Sequence, residues 1–410
     1  MTSNETTRPE APAGAQPGRE PISIRSIAAA IVIVLFVASI VLAQAWAVAL
    51  ERKRAPSIAA DLDYQRDIGV AIARATLSQP GILPVYGSSE LEMDLPNLAS
   101  RFFRDAPDGF TVCPIGRRGA SPLILLEKAA AVCRPPACGK AVVLISQVWF
   151  LSRGETLANY AGNFSALQGL EVIFKAPLSP GLRRDIAQRM LAYAPTLSST
   201  PILEQGVRAA AASDTVAGRM RYALLKPLGL MQTKVMELQD HFESVRDLKA
   251  AQRVPVALPS GSPLDWDRLM AAAEAQSPIY DEATAPDRGP KLTADIWRGV
   301  GQMPDCTEWG DLELLLRAFQ EMHVQVLLLD IPWSAVRYDA SGVNAGIRDM
   351  YYSRLRSLAE NYQDPIATFQ DHEYDARFLH DPHSHLSAKG WIFFDRDIDA
   401  FWRDLPLPLR

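Results

Sequence analysis

Ile82-Leu83-Pro84-Val85-Tyr86-Gly87-Ser88-Ser89-Glu90-Leu91 is the stretch from which the fold can be read. Ile82 to Tyr86 is a short apolar run that stops abruptly at Gly-Ser-Ser, the pattern of a buried strand. Leu91, Leu95, Leu98 and Phe102 then recur at helical spacing, with Pro96 set to break that helix or restart it one turn later. A serine between a strand and a helix N-terminus sits at the carboxyl edge of a sheet, beside free backbone N–H groups. That position suits a nucleophile whose reaction creates an oxyanion. Gly-Ser-Ser is also common in plain turns, so the rest of the chain has to carry the reading.

Two more apolar runs follow the same plan. Phe110 to Ile115 ends in Gly116-Arg117-Arg118-Gly119, and Leu123 to Val132 reads as its helix. Lys140 to Ile145 ends in Ser146-Gln147-Val148-Trp149-Phe150. Strand–helix–strand alternation implies a parallel sheet with right-handed crossovers and a ligand site at the carboxyl ends of its strands. From about 172 to 320 helical patterns dominate, notably Val207 to Ala250, as in a helical insertion or cap. The Gln, Arg and Glu of that region read as a solvated helix face. Pro255–Pro263 and Ser277–Pro290 read as connectors. The sheet resumes at Val324–Asp330, followed by Ile331-Pro332-Trp333, a helix over Val343–Glu360 and a fifth strand at Pro365–Phe369. An amphipathic helix over 386–403 closes the domain.

The N-terminal end differs in kind. Residues 1–24 are rich in Pro, Ala, Gly, Thr and Glu and lack an apolar period, as in a disordered tail. Ile27 to Leu50 is apolar except for Ser39 and Gln44, long enough to cross a bilayer. Ala43-Gln44-Ala45 resembles a signal-peptidase site, but the apolar run continues past it and the leader is long, which favours a retained anchor over 25–50. Arg19 and Arg25 on one side and Arg52, Lys53 and Arg54 on the other leave its orientation open. Ile58 to Leu77 reads as a helix leading into the main domain, 51–410. The 410 residues are 48% hydrophobic with a net charge of -5 and no basic patch, which supports a large core and argues against nucleic acid as a partner. Cys113, Cys133, Cys138 and Cys306 are compatible with two disulfides in an oxidising compartment or with buried thiols; their spacing does not suit zinc.

Four of the six histidines fall between His372 and His385. His380, His383 and His385 beside Asp381 have the chemistry of metal ligands, but no regular helical His spacing supports a metal. A loop after the last strand carrying Asp and His also suits a general base. Serine is a poor nucleophile until an imidazole takes its proton, and a carboxylate must orient that imidazole. An inert surface loop is the third reading.

Taken together, several motifs in order resemble the DltD family. They are Val85-Tyr86-Gly87-Ser88-Ser89-Glu90-Leu91, Gln147 with Trp149-Phe150, Asn163-Phe164-Ser165, Ile331-Pro332-Trp333 with Tyr338-Asp339 and Gly342, His372-Glu373-Tyr374-Asp375, and His385-Leu386-Ser387-Ala388-Lys389-Gly390-Trp391. The resemblance runs from about 82 to 395, with the helical middle matched loosely. It implies a flavodoxin-like three-layer sandwich similar to the SGNH hydrolases, with a helical insertion and one N-terminal transmembrane helix. It also supplies the orientation: plasma (inner) membrane, single-pass, with the main domain extracytoplasmic. The implied activity is transfer of D-alanine from a carrier to a cell-envelope polymer such as lipoteichoic acid, beside a membrane-bound O-acyltransferase and without a cofactor.

Residue by residue, the resemblance makes Ser89 the nucleophile, His385 the base and Asp381 the orienting acid. The family pattern is Asp-x-x-His, whereas three residues separate Asp381 from His385, so a bulge is required or else His383 or Asp371 takes a role. Gly119 and Gln147 stand where oxyanion-hole groups of SGNH enzymes arise, Gln147 in place of the usual Asn. Because the composition looks like that of a high-GC bacterium, the acceptor could be another periplasmic polymer. Two other functions remain compatible: a periplasmic polysaccharide O-acetyltransferase or deacetylase on the same fold, and a non-catalytic partner of the O-acyltransferase.

Overall fold

The computed structural model describes residues 24–61, 69–106, 108–134, 138–151, 154–251, 263–279, 306–381 and 385–408. The expected tail, most of both proline-rich connectors, and His383 lie outside them. Five strands form one parallel sheet: β1 (Ile82–Tyr86), β2 (Thr111–Ile115), β3 (Lys140–Ile145), β4 (Gln325–Asp330) and β5 (Ile366–Thr368), in the order β2-β1-β3-β4-β5. This is the flavodoxin-like order, with its switch point between β1 and β3. Tyr86 aligns with Ile115 on one side and Val143 on the other. Pro84 lacks an N–H, and β1 pairs with β3 only from Val85 onward, just past it.

The helices are α1 (Ile24–Arg54), α2 (Val70–Leu77), α3 (Ala99–Asp105) and α4 (Pro122–Val132) before β3. Between β3 and β4 come α5 (Leu157–Asn163), α6 (Ala166–Leu170), α7 (Pro180–Met190), α8 (Ala194–Leu197), α9 (Pro201–Ala211), α10 (Val216–Ala250), α11 (Trp266–Gln276) and α12 (Thr307–Glu321). Last are α13 (Ala335–Ala340), α14 (Ala345–Tyr362) and α15 (Ala388–Trp402).

Strand side chains alternate between two apolar layers, as a pleat with period two requires. Leu83, Val85, Val112, Val142, Leu144, Leu327 and Leu329 face a core completed by α3, α11 and α15. Tyr86, Ile115, Ala141, Val143, Ile145, Val326 and Leu328 face the other, built with α2, α4, α12 and the helices after β3. The helical segment therefore extends one face of the sheet's core. Residues Ala47–Arg410 form one compact unit, and Met1–Trp46 a separate one.

Two expectations need correction, and one open alternative is decided. The helix after Ser89 is a 3-10 turn, Ser89–Glu92, and regular helix resumes only at Ala99, because Pro96 cannot donate a helical hydrogen bond. The pattern Val207–Ala250 is two helices. Thr215 caps α10 by accepting the Gly218 N–H at 2.9 Å, and a Cβ at Gly218 would overlap the Ala212 carbonyl, so the glycine permits the sharp reversal. The cysteines, for which both disulfides and buried thiols were open, divide between the two: Cys133 and Cys138 form a disulfide, whereas Cys113 and Cys306 are free and Cys113 is buried in the core.

Candidate active site

The serine pair stands where the sheet order reverses. Gly87 ends β1 and donates to the Ile115 carbonyl at 3.0 Å. Gly116, with φ +134°, passes so close to Gly87 that a Cβ there would overlap its carbonyl oxygen. Backbone packed on backbone holds the start of the Ser89 turn against the end of β2. Ser88 is buried and its hydroxyl donates to the Arg117 carbonyl at 3.4 Å, whereas Ser89 is half-buried and faces the histidine.

His385 reaches the same place from the other end of the chain. A bridge between Leu379 and Leu386, with the His380 N–H on the His385 carbonyl at 2.8 Å, closes a loop ahead of α15. Ser387 caps that helix by accepting the Gly390 N–H at 3.3 Å. His385 Nε2 lies 3.0 Å from Ser89 Oγ, and His385 Nδ1 lies 2.5 Å from Asp381 Oδ2. Loop closure is what lets Asp381 reach the imidazole across one extra residue. Asp371 is turned elsewhere, 3.6 Å from His372. Among the described residues no three His, Cys, Asp or Glu side chains converge as a metal site.

The sequence pattern of the family described as DltD protein matches residues 59–279 and 296–403, well over half of the chain. The chain belongs to the DltD family. It is 26% identical to Protein DltD of Bacillus subtilis (strain 168) over 385 residues, covering 90% of this chain and 95% of that protein. Protein DltD of Staphylococcus aureus (strain NCTC 8325 / PS 47) is 23% identical over 336 residues, covering 79% and 82% respectively.

In this DltD-family chain the histidine is electrostatically prepared. Burial opposes charge on the His385 imidazole, but the hydrogen bond and negative charge of Asp381, helped by Glu90, outweigh it. Its pKa therefore lies above the ordinary 6.5. Glu90 was not singled out from the sequence, yet it is 1% exposed, directly follows Ser89, and accepts the Ser88 N–H at 2.5 Å. Burial pushes its carboxyl pKa up, against its backbone hydrogen bonds and the attraction of His385. Glu92 and Asp94 follow close behind it, so no sequence signal separates Glu90 from its acidic neighbours.

The two oxyanion candidates differ. Gly119, at φ +77°, adopts the left-handed conformation that glycine tolerates. The loop before it is held by Asn163, whose Nδ2 donates to the Arg118 carbonyl at 3.3 Å; this explains the Asn163 motif residue, for which the sequence suggested no role. Gln147 follows β3, the neighbour of β1, and is wholly buried. Neither its Oε1 nor its Nε2 has a hydrogen-bond partner among the described residues. An unpaired buried amide is costly in a folded core.

Proposed function

We propose that this protein is a membrane-anchored D-alanyl transferase in which Ser89 carries the acyl group. The observation that supports it most is the hydrogen-bonded series Ser89–His385–Asp381 at the switch point of a parallel sheet. His385 takes the Ser89 proton as the hydroxyl attacks the D-alanyl carbonyl. The carrier leaves with that proton, and Ser89 holds the D-alanyl ester. An acceptor hydroxyl on the envelope polymer then attacks, with His385 again as base, and restores the serine. Each half passes through a tetrahedral oxyanion. The Ser89 and Gly119 N–H groups and the Gln147 amide are its proposed donors, each worth about 3 kcal/mol.

The same reading sets the location. The apolar run Ile27–Leu50, part of a candidate span whose most apolar 18 residues have a mean hydropathy of 2.8, serves as a single-pass anchor, with 51–410 outside the cell beside a membrane-bound O-acyltransferase. The Cys133–Cys138 disulfide accords with an oxidising compartment. Alkaline phosphatase fused at residue 60 should be active and a cytoplasmic reporter there silent; the reverse would overturn the placement.

The reaction itself is tested in a deletion strain carrying the wild-type gene, by releasing ester-linked groups from the envelope with mild base. D-alanine that depends on the gene supports the proposal. Gene-dependent acetate without D-alanine would move the assignment to polysaccharide acetyl transfer.

Proton transfer also has a pH signature. A base with a raised pKa is protonated, and idle, until pH climbs past that value. Activity should therefore rise through an acidic limb centred above 6.5. Asp381→Asn removes the interactions that raise the pKa, so the limb should move to lower pH while the plateau falls by about 10⁴. A pH–rate profile of ester hydrolysis checks both; an unmoved limb would show that Asp381 does not act on the base.

A further inference from the structure

Helix α10 is amphipathic the wrong way round for a soluble domain. Its buried face consists largely of small or polar residues, Gly218, Gly229, Thr233, Glu237, Asp240 and Ser244. Its outward face carries Val216, Met220, Leu224, Leu228, Met231 and Val235, each exposed, Leu224 by 76%. These residues follow one another at spacings of three or four, which keeps them on one side of a helix. The expected solvated face is thus a continuous apolar stripe, six large side chains that water would disfavour.

Charge identifies what covers the stripe. Between Val216 and Met236 the helix carries Arg219, Arg221, Lys226 and Lys234 and no acidic residue. Arg219 donates to the carbonyls of Ser213 and Asp214 at 3.1 and 2.8 Å, and Arg221 to the Gln205 amide oxygen. Among the described residues neither arginine nor Lys226 has a carboxylate partner, so three positive charges border the stripe without compensation. An apolar stripe edged by uncompensated lysine and arginine has the make-up of a helix lying in the headgroup region of an anionic bilayer.

Side-chain contacts with the end of α1 keep such a surface near. The far end of α10 is bound to the last turns of α1 within the compact unit. His241 Nδ1 lies 2.9 Å from Glu51 Oε1, the Ser244 hydroxyl donates to the same carboxylate, and Arg54 donates to the Leu248 carbonyl at 3.0 Å. Glu51 is about 6 Å along a helix from Ala47. If α1 is the anchor, α10 is tethered at the point where the chain leaves the membrane.

We propose that the outward face of α10, from Val216 to Val235, lies on the outer surface of an anionic phospholipid bilayer as a second, interfacial attachment. The inference rests on the anchor reading given above. A domain held at two points cannot swing freely about α1, so its sheet edge keeps one orientation toward lipid-borne substrates.

The test uses the full chain in vesicles, with a spin label at one position at a time in a Cys306→Ser background. The positions are Leu224→Cys and Met231→Cys on the stripe, Val34→Cys in the anchor and Ser199→Cys as an exposed reference. In phosphatidylglycerol vesicles the labels at 224 and 231 should be several-fold less accessible to a water-soluble nickel complex than the label at 199, and more accessible to oxygen. In pure phosphatidylcholine, or with Arg219→Glu, Arg221→Glu and Lys226→Glu combined, that protection should be lost. Nickel-accessible labels at 224 and 231 with a protected label at 34 would overturn the proposal and leave the anchor standing. A nickel-accessible label at 34 would overturn the anchor and this inference together. Protection that is equal in phosphatidylcholine, or that appears only after a membrane-bound O-acyltransferase is added, would also overturn it, the last result assigning the stripe to a protein partner.

Discussion

Ser89→Ala is expected to abolish D-alanine ester formation in the complemented deletion strain, while Ser88→Ala leaves most of it. The difference follows from where the two hydroxyls point. Ser89 Oγ is 3.0 Å from His385 Nε2, whereas the Ser88 hydroxyl is buried and donates to the Arg117 carbonyl. Without the Ser89 oxygen no acyl-enzyme can form, and losing the nucleophile of such a series costs on the order of 10⁴ to 10⁶ in rate. His385→Ala should fall in the same range, and Ser89→Ala with His385→Ala should be no worse than either alone, since the groups act as a unit. Equal protein levels in the membrane fraction are the necessary control. Intact D-alanylation with Ser89→Ala would end the catalytic reading and leave a scaffold for the O-acyltransferase.

The second large effect concerns folding. Arg348 is wholly buried and bound on every side. Its guanidinium lies 2.6 Å from Asp339 Oδ1 and 2.9 Å from Glu373 Oε2, and it donates to the Val343 carbonyl at 2.7 Å and the Tyr374 hydroxyl at 3.3 Å. Tyr352 completes the cluster by donating to Glu373 at 2.9 Å. Arg348→Met would leave the Glu373 carboxylate buried without its counter-charge, a loss of about 3–5 kcal/mol. Arg348→Met combined with Glu373→Met should cost less than the sum of the two, because the stranded charge is gone. Denaturant midpoints of the four proteins measure this; strictly additive costs would show that the two residues are not coupled. Since Glu373 lies between β5 and the loop bearing Asp381 and His385, Arg348→Met should also reduce activity beyond its effect on the amount folded.

That cluster also shows how differently the motifs could be read. Tyr338-Asp339 and His372-Glu373-Tyr374-Asp375 were recognisable as resemblances, but no spacing connects residue 339 to 373. Their common partner, Arg348, sits in α14 and looks like any helical arginine. Glu90 escaped for the same reason: a carboxylate beside Leu91 carries no mark of being buried near His385. The extra residue between Asp381 and His385 was visible as an anomaly, yet its resolution depends on the Leu379–Leu386 bridge, which joins residues on either side of the loop.

What the amino-acid order determined alone are the features set by neighbours a few residues apart. Four strands were located to within a residue or two by uninterrupted apolar runs ended by Gly, Ser or Pro, and the shorter β5 was bracketed in the same way. The apolar length of Ile27–Leu50 marked a membrane-type helix, and Gly-Ser-Ser marked the turn. Tertiary structure decided whatever depends on groups distant in the chain. Strand order puts β1 between β2 and β3 and so sets Ser89 at a switch point. Loop closure brings Asp381 and His385 together. Packing turns the polar side of α10 inward and leaves its apolar side outward, although periodicity reports only that two faces differ and never which one the core will take.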